Sequence, residues 1–202
     1  MKKKHADSCV AIDDYKLFRR DRVGRKCGGV AIYLRRAMTA AVYLPPIDGD
    51  DEATQNYEML WVKVNHGSDV TFVGALYHPP KPLYGTNDLL DYIEASVVRI
   101  QQDFPAAHLM LAGDLNQISD NEVVIRTGLT SLVTLPTRYN NILDSLYVSD
   151  FEYTGVKVVQ SVATSDHKAI VAYSGGTKYT VGKYRGMSIL SVNTPRRSML
   201  AF

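Results

Sequence analysis

Leu109-Met110-Leu111-Ala112-Gly113-Asp114-Leu115-Asn116 carries the clearest fold signal in the chain. Four consecutive apolar residues after Pro105 have the character of a strand buried on both faces. The run ends abruptly in a glycine, a carboxylate and an amide. Side chains two apart on a strand face the same way, so Asp114 and Asn116 can reach one point if the strand continues through them. Gly-Asp-X-Asn is also an ordinary turn, because Asp and Asn bond their own backbone.

A helix precedes this strand. Leu89, Leu90, Ile93, Val97 and Ile100 recur at helical spacing, Thr86 or Asn87 can cap the start, and Pro105 lies just past the end. Before it, Tyr57 to Val64 and Val70 to Tyr77 flank a turn at His66-Gly67-Ser68-Asp69 and read as a hairpin. Pro79-Pro80 stops the second strand, since proline has no amide hydrogen for the ladder. Gly28-Gly29 opens another apolar run, Val30-Ala31-Ile32-Tyr33-Leu34. Downstream, a short helix is expected around Asn121 to Thr127, with strands at Ile142 to Val148, Val156 to Val159 and Ala169 to Tyr173. Strands interspersed with two helices indicate an α/β fold with mixed sheets. Residues 1–175 read as one domain, and residues 176–202, after Gly175-Gly176, as an irregular tail.

Composition agrees with a globular domain. The chain has 202 residues, 46% of them hydrophobic and 22% charged, with a net charge of +2. Two excess charges give little long-range steering toward nucleic acid. The basic runs Lys2-Lys3-Lys4, Arg19-Arg20-Asp21-Arg22 and Arg35-Arg36 read first as solvated strand ends. Cys9 and Cys27 make neither a disulfide framework nor a zinc site, which suits a reducing, intracellular setting, nuclear or cytoplasmic. No apolar run approaches the ~20 residues that span a bilayer, so no membrane association and no stable protein partner are expected.

Two further motifs place acidic groups at strands. Leu143-Asp144-Ser145-Leu146-Tyr147-Val148-Ser149 carries a carboxylate inside an apolar strand, and Ser165-Asp166-His167 immediately precedes another. Singly, Asp144 is equally a satisfied buried carboxylate or a solvated one, and Asp166-His167 equally a cap. Their order and strand contexts together carry more than any one of them.

Taken with Tyr15 to Arg22, Gly28 to Tyr33, Leu76-Tyr77-His78-Pro79-Pro80 and Pro136-Thr137-Arg138, these motifs resemble the endonuclease/exonuclease/phosphatase superfamily, which includes deoxyribonuclease I. The likeness is strongest to the endonuclease domain of LINE-type non-LTR retrotransposons and covers roughly residues 10 to 175. The resemblance implies a four-layer α/β sandwich of two mixed sheets flanked by helices, DNA as substrate, and Mg²⁺ (or Mn²⁺) as cofactor. Carried over by position, Asp114 activates the attacking water and Asn116 holds the scissile phosphate. Asp166 binds metal, His167 stabilises charge on the phosphate oxygens, Asp144 orients His167, and Tyr77 touches the phosphate. Thr137, Arg138 and Ser165 fall at substrate-binding positions. His78, beside Tyr77, reads as an exposed structural histidine.

The family pattern begins with an asparagine-bearing strand and a strand ending in a metal-binding glutamate within Glu-Thr-Trp-Leu. Lys2 to Ser8 matches the loop after it, and Glu52 and Glu58 lie elsewhere in the order. The expectation is a fold lacking the family's first strands, a metal site short of its main carboxylate, and impaired cleavage. Arg185 to Phe202 likewise stops short of a reverse-transcriptase region. The competing functions are a lipid or inositol phosphatase of the same superfamily, and a non-catalytic remnant that only binds nucleic acid.

Overall fold

The computed structural model describes residues 6–23, 28–47, 54–150, 155–161, 165–173, 178–184, 187–193 and 200–201. Lys2-Lys3-Lys4, Cys27, Glu52 and Gly175-Gly176 lie outside them. In chain order the strands are β1 (Tyr15–Asp21), β2 (Gly29–Arg35), β3 (Thr39–Tyr43), β4 (Glu58–His66), β5 (Asp69–Tyr77), β6 (His108–Asp114), β7 (Thr130–Ser131), β8 (Asp144–Val148), β9 (Gly155–Val159), β10 (Ala169–Tyr173), β11 (Lys178–Tyr184), β12 (Met187–Asn193) and β13 (Leu200–Ala201). The helices are α1 (Thr86–Asp103) and α2 (Asp120–Thr127).

Six strands form a mixed sheet in the order β3-β4-β5-β6-β8-β7. β4 and β5 are the hairpin expected from the turn at residues 66–69, and α1 is the crossover that lets β6 lie parallel to β5. Central strands of this sheet bury both faces. On one face Met59, Trp61, Phe72, Leu76, Leu109, Leu111 and Tyr147 pack against Leu89, Leu90, Ile93, Val97 and Ile100 of α1 and Val123 of α2. On the other, Leu60, Val62, Val64, Val73, Ala75, Met110 and Leu146 meet Ile32 and Leu34 of β2, with Val156 and Val158 of β9 and Ile170 and Ala172 of β10 at the margin. The antiparallel pairs β1–β2 and β9–β10 thus form the second β-layer. This is an α/β sandwich with α1 and α2 on the outer face of the larger, mixed sheet; among the described residues the second layer consists of separate antiparallel pairs, and no α-helix covers its outer face. The outer face of β2 carries a small cluster of Ile12 and Tyr33, joined by Tyr15, Leu17 and Ala31.

Three local readings change. The N-cap of α1 is Gly85, one residue before Thr86 and two before Asn87, the two expected caps, because the Asp88 carboxylate reaches back to accept the Gly85 N–H at 3.1 Å. His78 is fully buried, not exposed, and its Nδ1 meets the Tyr84 hydroxyl at 3.3 Å. The segment read as an irregular tail contains the antiparallel pair β11–β12 and the short β13 on β2. Gly182, Lys183 and Ser188 interrupt the alternation there and hide the strand signal.

The parallel pair β5–β6 comes unusually close at its end. A Cβ on Gly113 would sit 1.8 Å from the Leu76 carbonyl oxygen. Gly113→Ala is therefore expected to force the strands apart and lower stability by about 3 kcal/mol. An unchanged urea midpoint would show that the strands have slack here.

Candidate active site

Register brings four polar residues into one row across the end of the large sheet. Glu58 pairs with Tyr77, Tyr77 with Asp114, and Asp114 with Asp144. Neighbouring strands stand ~4.8 Å apart, so the row packs three carboxylates and a phenol into a short span. Alternation places all four on the face turned to the second sheet, in line with Leu60, Ala75, Ala112 and Leu146.

His167 enters from that second layer, just ahead of β10. Its neighbour Arg138 forms an isolated bridge with it, and the Lys168 N–H donates to the Thr137 carbonyl at 2.7 Å. These backbone ties hold the imidazole over the row, where His167 Nδ1 lies 2.8 Å from Asp144 Oδ2. An ionised carboxylate only accepts, so Nδ1 donates and Nε2 is left to face the site. Single ligand atoms of Asp114, Asp144 and His167 lie within 4.8 Å of one another. Sequence separations of up to 53 residues close into one cluster because two strands, β6 and β8, and the loop ahead of β10 meet at the same end of the sheet.

Asn116 reaches the site by a different route from strand alternation. β6 ends at Asp114, and Asn116 takes a left-handed φ of 47°. The Asp114 carboxylate accepts the Asn116 N–H at 3.1 Å, and Asn116 Nδ2 donates to the His78 carbonyl at 2.8 Å. The Asx turn and the site are thus one feature.

Other candidates stand elsewhere. Asp166 turns its carboxylate to Arg138, with contacts of 2.5 and 2.8 Å, and lies outside the Asp114–Asp144–His167 cluster. Arg138 holds the Asp166 carboxyl below its ordinary range, and that carboxylate in turn raises Arg138. Thr137 is fully buried, and its hydroxyl accepts the N–H groups of Leu143 and Asp144, each at 3.0 Å. It shapes the entry to β8. Ser165 is exposed and accepts the His167 N–H at 3.1 Å.

Two residues were missed by sequence reasoning. Glu58, only 4% exposed, accepts Arg22 Nε at 2.5 Å and also the Gly29 N–H. Arg22 lies over the Tyr77 ring, 5.4 Å from its centroid. The available signal was a carboxylate in phase with Leu60, Val62 and Val64 on a strand, hence buried and in need of a partner.

A divalent cation suits this donor set. Burial, and then the charge of Asp144, push the Asp114 carboxyl above its ordinary range, only partly offset by the Asn116 N–H. Two facing carboxylates repel, and a hard cation with oxygen ligands relieves that repulsion. The raised value has a sign. The folded state binds the Asp114 proton more tightly than the unfolded state, so this group's contribution to stability falls as pH rises from the ordinary carboxylate range through its own elevated value. Asp114→Asn is therefore expected to raise the melting temperature at neutral pH by on the order of 2 °C, with the gain vanishing in acid. A gain that persists in acid would assign the effect to something other than charge.

No protein-family model matches the chain, and no curated protein matches it in sequence. Solved structures do match. The endonuclease domain of TRAS1, a telomere-specific non-LTR retrotransposon, superimposes with a TM-score of 0.58 at 17% identity, covering 81% of this chain and 81% of that one. A D. rerio TDP2 humanized by 14 mutations gives a TM-score of 0.50 at 15% identity, over 79% of this chain and 75% of that one. Identities this low speak to architecture alone, and at that level the chain has the endonuclease/exonuclease/phosphatase-like, or deoxyribonuclease I-like, fold.

Proposed function

We propose that this chain is a hydrolase of phosphodiester bonds, dependent on Mg²⁺ (or Mn²⁺), and that its substrate is DNA, as for the endonuclease domain of a LINE-type retrotransposon. The observation that carries the reading is the His167–Asp144 pair at 2.8 Å beside the half-buried Asp114. Phosphoryl transfer asks a protein for positioning and for neutralisation of developing charge rather than for covalent chemistry. Asp144 fixes the His167 tautomer, so that Nε2 meets a phosphate oxygen. Asp114, in the same cluster, orients the attacking water. Tyr77 and the Asn116 turn border the same end of the sheet, and Arg138, paired with Asp166, offers a guanidinium to the phosphate backbone.

Asp114 and Asp144 are the oxygen ligands that would hold the cation, and the cation supplies charge neutralisation at the scissile phosphate. Because Asp144 also engages His167, and Asp166 engages Arg138, the charge left to fix the ion among the described residues is small. The reading therefore carries a slow rate for the 202-residue chain. The retrotransposon branch is favoured by Tyr77-His78-Pro79-Pro80 and by Leu143 to Ser149, and by the shape likeness to the TRAS1 domain.

Nicking of supercoiled plasmid, with protein in excess over DNA, tests the proposal. Slow nicking is expected with Mg²⁺ or Mn²⁺ and none with EDTA. Asp114→Ala and His167→Ala should abolish it, and Asp144→Asn should cut the rate by about 10²–10⁴. Nicking that survives these substitutions would come from a contaminant and sink the reading. Hydrolysis of an inositol phosphate with plasmid left intact would favour the phosphatase alternative.

A further inference from the structure

The proposed chemistry leaves one buried ion pair of the row without a task. Glu58 sits at the β4 end of the row, 4% exposed, and its two carboxylate oxygens take Arg22 Nε at 2.5 Å and the Gly29 N–H. Gly29 presents that N–H from a φ of 108°, and a Cβ there would lie 2.7 Å from the Arg20 carbonyl oxygen. Only glycine fits this backbone path, so the Gly28-Gly29 motif serves to deliver a donor to Glu58. Arg22 is itself 17% exposed. An Arg–Glu pair at this burial returns little net stability, since desolvating both ions offsets their attraction. Stability is therefore a poor reason for its presence, and placement of the guanidinium is a better one. The guanidinium lies 5.4 Å from the centre of the Tyr77 ring, within cation–π range. Its Nη2 is buried and makes no hydrogen bond among the described residues. Tyr77 in turn is the register partner of Asp114.

We propose that Arg22 is a positioning residue: clamped by Glu58, it fixes the ring of Tyr77 beside Asp114 and so sets where the phenol meets an anionic substrate group. In its kinetic consequences this inference rests on the phosphodiesterase reading; in its structural consequence it does not. Arg22 acts through Tyr77, and Glu58 acts through Arg22. Lysine cannot replace Arg22, because its ammonium lacks both the planar face for the ring and the Nε edge that Glu58 holds.

Two measurements on the full chain test this. In protein labelled with 3-fluorotyrosine, the Tyr77 resonance is identified by its loss in Tyr77→Phe. Arg22→Met should shift or broaden that signal, Arg22→Lys should do so as well, and Glu58→Gln should do so to a lesser degree. In single-turnover plasmid nicking, Arg22→Met should lower the maximal rate about tenfold with little change in the half-saturating DNA concentration. In a Tyr77→Ala background the same substitution should cost less than about twofold, because an effect routed through one residue is not additive with its removal. A Tyr77 signal unmoved by folded Arg22→Met and Arg22→Lys overturns the proposal. A tenfold loss that persists without the Tyr77 ring also overturns it, and points to direct contact of Arg22 with DNA. Where Arg22→Met does not fold, Arg22→Lys carries both measurements. If wild-type protein nicks nothing, the phosphodiesterase reading fails, while the fluorine signal still decides whether Arg22 positions Tyr77.

Discussion

The close parallel pairing of β5 with β6 sets everything that follows at the site. Gly113 lets the two backbones approach to a distance that no Cβ tolerates, and that approach fixes the register that aligns Tyr77 with Asp114. The antiparallel neighbours then bring Glu58 to one side and Asp144 to the other. A slip of one residue would turn Asp114 from the inter-sheet face to the face covered by α1, and the row would dissolve. Burial of both sheet faces forbids that slip, because it would exchange Met110 and Leu111 between two packed clusters. Packing on two sides thus holds chemical groups at the sheet's end in register.

Three of the four acids in and around the row have a side-chain partner. Glu58 has the Arg22 guanidinium, Asp166 has that of Arg138, and Asp144 has the His167 ring nitrogen. Among the described residues Asp114 alone of these four acids has no side-chain partner; its carboxylate accepts a backbone N–H instead. The arrangement concentrates unrelieved negative charge at one carboxylate that burial already disfavours as an anion. A cation, or a proton taken from water, is what such a group lacks. The same pairing explains why Asp166 is not turned inward: Arg138, tethered by its bridge to His167, is the nearest counter-charge and takes it.

Much of the fold was legible because it rests on local periodicity. The spacing of Leu89, Leu90, Ile93, Val97 and Ile100 marks α1, the turn at residues 66–69 marks the β4–β5 hairpin, and the apolar run at 109–112 marks a strand covered on both sides. Where polar residues break the alternation, as in β11 and β12, or where a cap bond shifts the start of α1 by one residue, the local signal is weaker than the tertiary outcome. His78 shows the same limit: its flanking prolines suggest a surface turn, yet the Asp114 carbonyl takes its N–H and Tyr84 covers its ring.

For the site, sequence alone determined which residue types are present and that three acidic motifs end or interrupt apolar strands. It also determined that a glycine precedes Asp114 and that glycines precede β2. Those are statements about neighbours in the chain, and local sterics and hydrogen bonding suffice for them. It is the packed structure that sets the 2.8 Å contact of Asp144 with His167, pairs Asp166 with Arg138, seals Thr137 inside, and joins Arg22 and Glu58 to Tyr77. Those contacts span from 6 to 55 residues of chain. Strand register and the stacking of one sheet on another set them, and neither is written in the spacing of any single segment.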